Sequence, residues 1–202
     1  MALKTAIHIG FPKTGTTTLQ KHFFNSHSQV HYLGKPYENQ RIHDLILDLV
    51  MAESTVYDPG ELRDYIAGHM EQGTRDGKKV LVLSDELLVS ASKVRDKGVV
   101  AERLHQLFPG ASVVVTLRNQ YEMLKSAYIN GGRLLKNVPG RFKGRAITFG
   151  EWLEMSFEKP ERSYVGNIRY LNTLDYYTRL FGKENVCVVL FEEFLAKKDA
   201  YT

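Results

Sequence analysis

Four short runs of apolar, largely β-branched residues punctuate the chain: TAIHIG at 5–10, KVLVLS at 79–84, ASVVVTL at 111–117 and NVCVVLF at 185–191. VHYLG at 30–34 is a weaker fifth. The runs are continuous rather than alternating, which suits strands buried on both faces. Between them the apolar spacing changes to three and four. RIHDLILDLVMAE (41–53) repeats it at Ile42, Leu45, Ile46, Leu49 and Val50, one face of a helix. TTTLQKHFFN (16–25), PGELRDYIAGHM (59–70), VVAERLHQLF (99–108) and IRYLNTLDYYTRLFG (168–182) read as further helices. Pro59 suits a helix start and Gly182 a helix stop. Strands alternating with helices predict an α/β fold in three layers, with a central parallel sheet of four or five strands flanked by helices. At 202 residues, one domain over 1–202 is expected.

Composition narrows the function classes. A hydrophobic share of 43% and a charged share of 25% are those of an ordinary globular protein. The net charge of +4 suits an anionic ligand and is too small to argue for nucleic acid. The single cysteine, Cys187, rules out an internal disulfide, and its apolar surroundings VCVVL predict a buried, inert thiol. No stretch of about 18 apolar residues is present, so no membrane span is expected. MALKTAIHIG lacks a secretory apolar region and runs straight into a strand, which makes a cytoplasmic enzyme the default. The stretch GRLLKNVPGRFKGR (132–145) carries Arg133, Lys136, Arg141, Lys143 and Arg145 without an acidic residue. It reads either as a solvated loop or as a basic segment near an anionic ligand.

The densest chemistry lies in HIGFPKTGTTT at 8–18. Gly10 and Gly15 have the spacing of a phosphate-binding P-loop, but Thr16 stands where that loop has its lysine. The nearby lysine is Lys13, inside the loop. A strand precedes the segment and a helix follows it, so the layout is P-loop NTPase-like. Ligands in such sheets sit at the carboxyl ends of the strands, and the helix N-terminus favours an anion there. Pro12 stiffens the loop, Gly15 permits an unusual φ, and Thr16, Thr17 and Thr18 add hydroxyl donors. A second segment, VVVTLRNQYEMLKSAY (113–128), places Arg118 at a strand end and Ser126 about two turns into the next helix. Arginine presents a planar fork of donors suited to phosphate.

Together PKTGTT (12–17) and RN…SAY (118–128) resemble the sulfotransferases that use 3′-phosphoadenosine 5′-phosphosulfate (PAPS). The resemblance includes the Arg-to-Ser spacing and the tyrosine after the serine, and the late pattern DYYTRLFGKENVCVVLFEEF (175–194) is similar too. It implies that Lys13, Thr14, Gly15, Thr16 and Thr17 hold the 5′-phosphosulfate, and that Arg118 and Ser126 hold the 3′-phosphate of PAPS and of its product PAP. A transferring sulfuryl group carries less charge than a triphosphate, so no metal is expected. Lys13 instead would stabilise the oxygen that gains charge as the phosphate leaves. The family's further basic segment near the C-terminus has no counterpart after Phe194, where the chain ends LAKKDAYT. That leaves a shortened chain, a substitute in 132–145, or weak cofactor affinity.

A hydroxyl or amine acceptor, among them a carbohydrate, needs a base within about 3 Å. LSDELL (83–88) ends a strand on the ligand side and offers Glu86, then Asp85. Soluble members of the family place a histidine after that strand, from which this chain departs. Members acting on glycans or tyrosine use a glutamate after the first helix, which corresponds to HYLGKPYEN (31–39) and offers Glu38. Asp85 also suits a helix cap and Glu38 a solvated loop. The histidines lack metal-ligand spacing, and His8 reads as a core residue. Two rival readings remain open: an ATP-dependent kinase or ATPase with SDE holding Mg²⁺, and a non-catalytic nucleotide-binding module.

Overall fold

The computed structural model describes residues 3–90, 96–132, 145–160 and 163–196. Arg133, Lys136, Arg141 and Lys143 of the basic stretch, and the last six residues of the chain, lie outside the described residues. Among the described residues five strands form: β1 (Lys4–His8), β2 (Val30–Gly34), β3 (Val80–Ser84), β4 (Ser112–Leu117) and β5 (Val186–Leu190). They pair in the order β2-β3-β1-β4-β5, all parallel. The register sets Ile7 of the central strand between Leu83 and Val113, and all three are completely buried. The continuous apolar runs of β3, β4 and the end of β1 thus became sheet interior, whereas that of β5 did not.

Among the described residues eight α-helices accompany the strands: α1 (Thr16–Thr18), α2 (Gln40–Met51), α3 (Pro59–Arg75), α4 (Lys97–Leu107), α5 (Gln120–Ala127), α6 (Phe149–Glu158), α7 (Tyr170–Phe181) and α8 (Phe191–Ala196). α1 runs on in wider π-type turns over Leu19–Phe24. All five periodic apolar residues of α2 are buried. Asn39, Asp58, Asp96 and Asn119 cap α2 to α5 by accepting from backbone N–H groups of the first turn. α3 extends five residues beyond the expected stretch because its polar continuation has no apolar period to announce it. α6 was not foreseen, yet its start holds a capping box in which Thr148 and Glu151 satisfy each other's backbone N–H groups.

The topology dictates where a ligand goes. The connection leaving β1 leads past β3 to β2, whereas the connection leaving β4 leads outward to β5. The sheet therefore switches direction between β1 and β4, and the crevice opens outside their carboxyl ends. The loop at 9–15 and Arg118 sit at those two ends. A satellite cluster of Leu124, Ala127, Ile147, Trp152 and Val165 packs apart from the main core and walls one side of that crevice.

The sheet is not covered evenly. Cys187 is exposed, contrary to the buried thiol expected from VCVVL. β5 is an edge strand, and Val188 and Leu190 remain 44% and 42% exposed. An apolar run announces a strand but does not say whether both faces are covered. Among the described residues no helix is long and apolar enough to cross a membrane. Because Cys187 is the only cysteine, an aromatic disulfide reagent should titrate one thiol per chain in native buffer, at a rate close to that in denaturant. A thiol that reacts only after unfolding would contradict the open edge.

Candidate active site

Between β1 and α1 the backbone turns twice into the left-handed region, at Lys13 (φ 70) and Gly15 (φ 79). Gly15 could not be otherwise. A Cβ there would lie 2.6 Å from the Phe191 ring, quite apart from its φ. Gly10 is constrained by space alone, because a Cβ would meet Thr16 Cγ2 at 2.1 Å and Thr116 Oγ1 at 2.7 Å. Lys13 has a side chain and pays about 1–2 kcal/mol for this conformation.

What holds the loop in this shape is a line of buried polar groups beneath it. Gln20 Nε2 donates to Ser84 Oγ at 3.2 Å, and Ser84 Oγ lies 2.8 Å from His8 Nδ1. His8 Nε2 lies 3.4 Å from Thr116 Oγ1, which is 2.8 Å from Thr14 Oγ1. Thr14 donates in turn to the carbonyl of Phe11 at 2.6 Å. The carbonyl end fixes the direction from Phe11 back to His8, since a carbonyl only accepts. Each hydroxyl has one proton to pass on, so counting back from Phe11 puts a proton on His8 Nε2, and burial leaves Nδ1 bare to accept from Ser84. Burial drives its pKa down to about 4, in agreement.

Above this line a cleft of about 540 Å³ opens. Pro12, Lys13, Gly15, Thr16, Thr17 and Glu86 line it on the sheet side, and Ala127, Asn130, Trp152 and Tyr164 on the other. An adjoining cleft of about 400 Å³ is lined by Arg118, Lys125, Ser126, Glu122, Ile129 and Asn130, and shares Lys13 with the first. Six of the expected site residues thus meet in the first cleft, and Arg118 and Ser126 meet in the second. Arg118 donates to the Lys13 carbonyl at 3.1 Å, lies over the Phe191 ring at 4.9 Å, and approaches Glu122 at 4.0 Å.

Four expected residues have other tasks or places. The Thr14 hydroxyl is 1% exposed and committed to the buried line. Thr18 is exposed and is not among the residues lining the first cleft. Asp85 is buried and caps the turn Glu86–Leu88 through the Leu87 N–H at 2.7 Å, while the Tyr37 hydroxyl donates to its second oxygen. Burial and that hydrogen bond push the Tyr37 phenol up, which keeps it a donor. Glu38 is exposed in the loop after β2, away from both sets of lining residues. Of the three carboxylates considered as base, Glu86 is the one in the cleft.

Lys125, Asn130, Trp152 and Tyr164 were missed. Tyr164 is half-buried and donates to the Pro12 carbonyl at 3.2 Å. Burial, then the Glu86 charge, push its phenol up. Lys97 braces the same segment by donating to the Gly166 carbonyl at 3.1 Å, over the Phe11 ring. Lys125 had a signal, since it directly precedes Ser126. Trp152 and Tyr164 reach the cleft through tertiary packing and carry no motif.

No family model matches the chain, and no curated protein matches it in sequence. Among solved structures it is similar to a sulfotransferase from Alicyclobacillus acidocaldarius, at 20% identity and a TM-score of 0.65, over 100% of this chain and 78% of that one. It is also similar to the sulfotransferase domain from the curacin biosynthetic pathway, at 12% identity and a TM-score of 0.55, over 100% of this chain and 71% of that one. The class is therefore a three-layer α/β domain with a P-loop-like turn at its switch point. Within that class the chain has the fold of a sulfotransferase-like domain.

The neutral His8 gives stability a pH dependence with a defined sign. Its folded pKa lies below the unfolded value of 6.5, so the unfolded chain binds the extra proton more readily. Its contribution is complete above about pH 6.5 and is lost as the pH falls toward 4. The loss amounts to roughly 3 kcal/mol at about 1.4 kcal/mol per pH unit. Urea unfolding at pH 7.0 and 5.0 should show a larger drop in stability for the wild type than for His8→Gln. Equal drops would mean that His8 is not held neutral.

Proposed function

We propose that this domain transfers a sulfuryl group from PAPS to a hydroxyl or amine acceptor. The observation that carries the reading is the position of Lys13 at the junction of two clefts. One is lined by the loop and the other by Arg118, Lys125 and Ser126. Such a pair of donor-lined spaces fits a ligand with two separated anionic groups, as a 3′,5′-bisphosphorylated nucleoside has. When bound, PAPS supplies an activated sulfuryl group on a 5′-phosphate leaving group. Lys13, Thr16 and Thr17 would hold that end, and Arg118 and Ser126 the 3′-phosphate.

The chain's own residues supply the rest. Lys13 places an ammonium at the cleft's edge, where charge builds on the departing oxygen. Glu86 would take the acceptor's proton as the acceptor oxygen or nitrogen bonds to sulfur and the bond to the 5′-phosphate oxygen breaks. Trp152 and Tyr164 form the opposite wall, where the acceptor would lie. A kinase reading of SDE is less well supported, because Asp85 is buried and lines neither cleft. The fold similarity to sulfotransferases supports the same choice.

Binding tests the cofactor directly. Hydrogen bonds to charged groups are worth about 1.5–3 kcal/mol each. PAP should therefore bind roughly ten- to several-hundredfold more tightly than AMP by calorimetry. Arg118→Ala should erase most of that difference and leave AMP affinity nearly unchanged. Equal affinities for PAP and AMP in the wild type would exclude the sulfotransferase reading.

Turnover tests the lysine. Lys13→Ala should reduce kcat by roughly 10²-fold or more while changing PAP affinity much less, because its contact strengthens as charge develops. Collapse of PAP binding with kcat intact would reassign Lys13 to ground-state binding.

A further inference from the structure

Glu86 occupies an unusual position for a carboxylate. It opens the turn after β3, and its backbone is tied down by Ser90, whose hydroxyl donates to the Glu86 carbonyl at 2.6 Å. Its side chain reaches across to the loop, where it accepts a hydrogen bond from the Thr16 hydroxyl. Thr16 is 2% exposed and opens α1, and both residues line the cleft that also holds Lys13 and Thr17. A negatively charged group thus sits among the donors of an anion site. It takes one of them for itself.

A hydroxyl carries a single proton. Thr16 can give it to Glu86 or to an anionic oxygen of a ligand, not to both. Any anion seated in the loop must compete with Glu86 for that donor and also lies close to its charge. Once the proton is redirected, Glu86 has lost a partner and has acceptor capacity to spare, in a cleft whose far wall is Asn130, Trp152 and Tyr164.

We propose that Thr16 and Glu86 form an exchange pair: the Thr16 hydroxyl donates to Glu86 in the empty site and to the 5′-anionic group of the cofactor in the loaded one. This rests on the cofactor reading above and adds to it an order of events. The base is released toward the acceptor only after the cofactor is seated. Thr16 is then a positioning residue for Glu86 as well as a cofactor ligand. A site that releases its base late does not present a free carboxylate to an acceptor that arrives first.

A double-mutant cycle on PAP affinity reads the exchange without turnover. Removing the competitor with Glu86→Ala should tighten PAP binding by about fivefold or more, since the charge and the rival acceptor both go. Thr16→Val should cost little in the wild-type background, about threefold or less, because the bond lost to PAP is offset by the bond no longer broken to Glu86. In the Glu86→Ala background nothing offsets it, and Thr16→Val should cost roughly tenfold or more. Thr16→Ser keeps the hydroxyl and should behave as wild type in both backgrounds, which separates the exchange from damage to the loop. Equal costs of Thr16→Val in the two backgrounds, or an unchanged PAP affinity in Glu86→Ala, would overturn the exchange and leave the cofactor reading standing. Failure of wild-type chain to bind PAP at all would overturn both.

Discussion

The site depends on the direction of one buried line of hydrogen bonds. It starts at an amide that can only donate, Gln20, and ends at a carbonyl that can only accept, Phe11. Everything between them must agree. The line joins α1's extension, β3, β1, β4 and the loop, so five elements share one polarity. A proton added to His8 Nδ1 would leave Ser84 Oγ facing two donors, Gln20 and His8, and would turn the Ser84 proton away from the ring. A buried donor or acceptor left unmatched costs about 1–3 kcal/mol, which makes the agreement a strong restraint on the loop. The restraint acts through Thr14, whose hydroxyl is withdrawn from any ligand in order to tie the loop to β4.

Above that line the site has two unlike sides. The sheet side is rigid and polar, made from the loop and the turn after β3. The other side rides on α5, α6 and the Tyr164 segment, packed around its own small aromatic cluster. Arg118 links them. It stands at the end of β4, donates to the loop at Lys13, and precedes the helix that carries Lys125 and Ser126. The backbone of the loop and the second cleft are thereby mechanically joined by a single guanidinium.

The parts legible in the sequence were those with local causes. The strand runs, the α2 periodicity and Gly182 at the end of α7 each arise from a few adjacent residues, and each appears in the structure. So does the placement of Lys13 and Arg118 at the ends of β1 and β4, which follows from the order of strands and loops. Contacts made across the fold were not legible. Asp85 and Glu86 are adjacent and chemically alike, yet one is buried beneath Tyr37 and the other faces the cleft. Locally only the helix-cap position of Asp85 hints at the difference; the Tyr37 contact and the cleft that complete it are made across the fold. Cys187 is exposed on a strand that is the sheet's edge among the described residues, which its apolar neighbours in sequence do not reveal. Trp152 and Tyr164 enter the cleft through a satellite core that no motif announces.

The left-handed backbone at Lys13 sets the chemistry of this position against the thermal resistance of the fold. Glycine would occupy the same φ without the Cβ clash and at lower energy, by about 1–2 kcal/mol. A directed-evolution campaign that rewards only resistance to heat would therefore favour losing the ammonium where the two clefts meet. Consensus or heat-based engineering of this scaffold has to hold position 13 fixed, or screen for ligand capture alongside melting temperature.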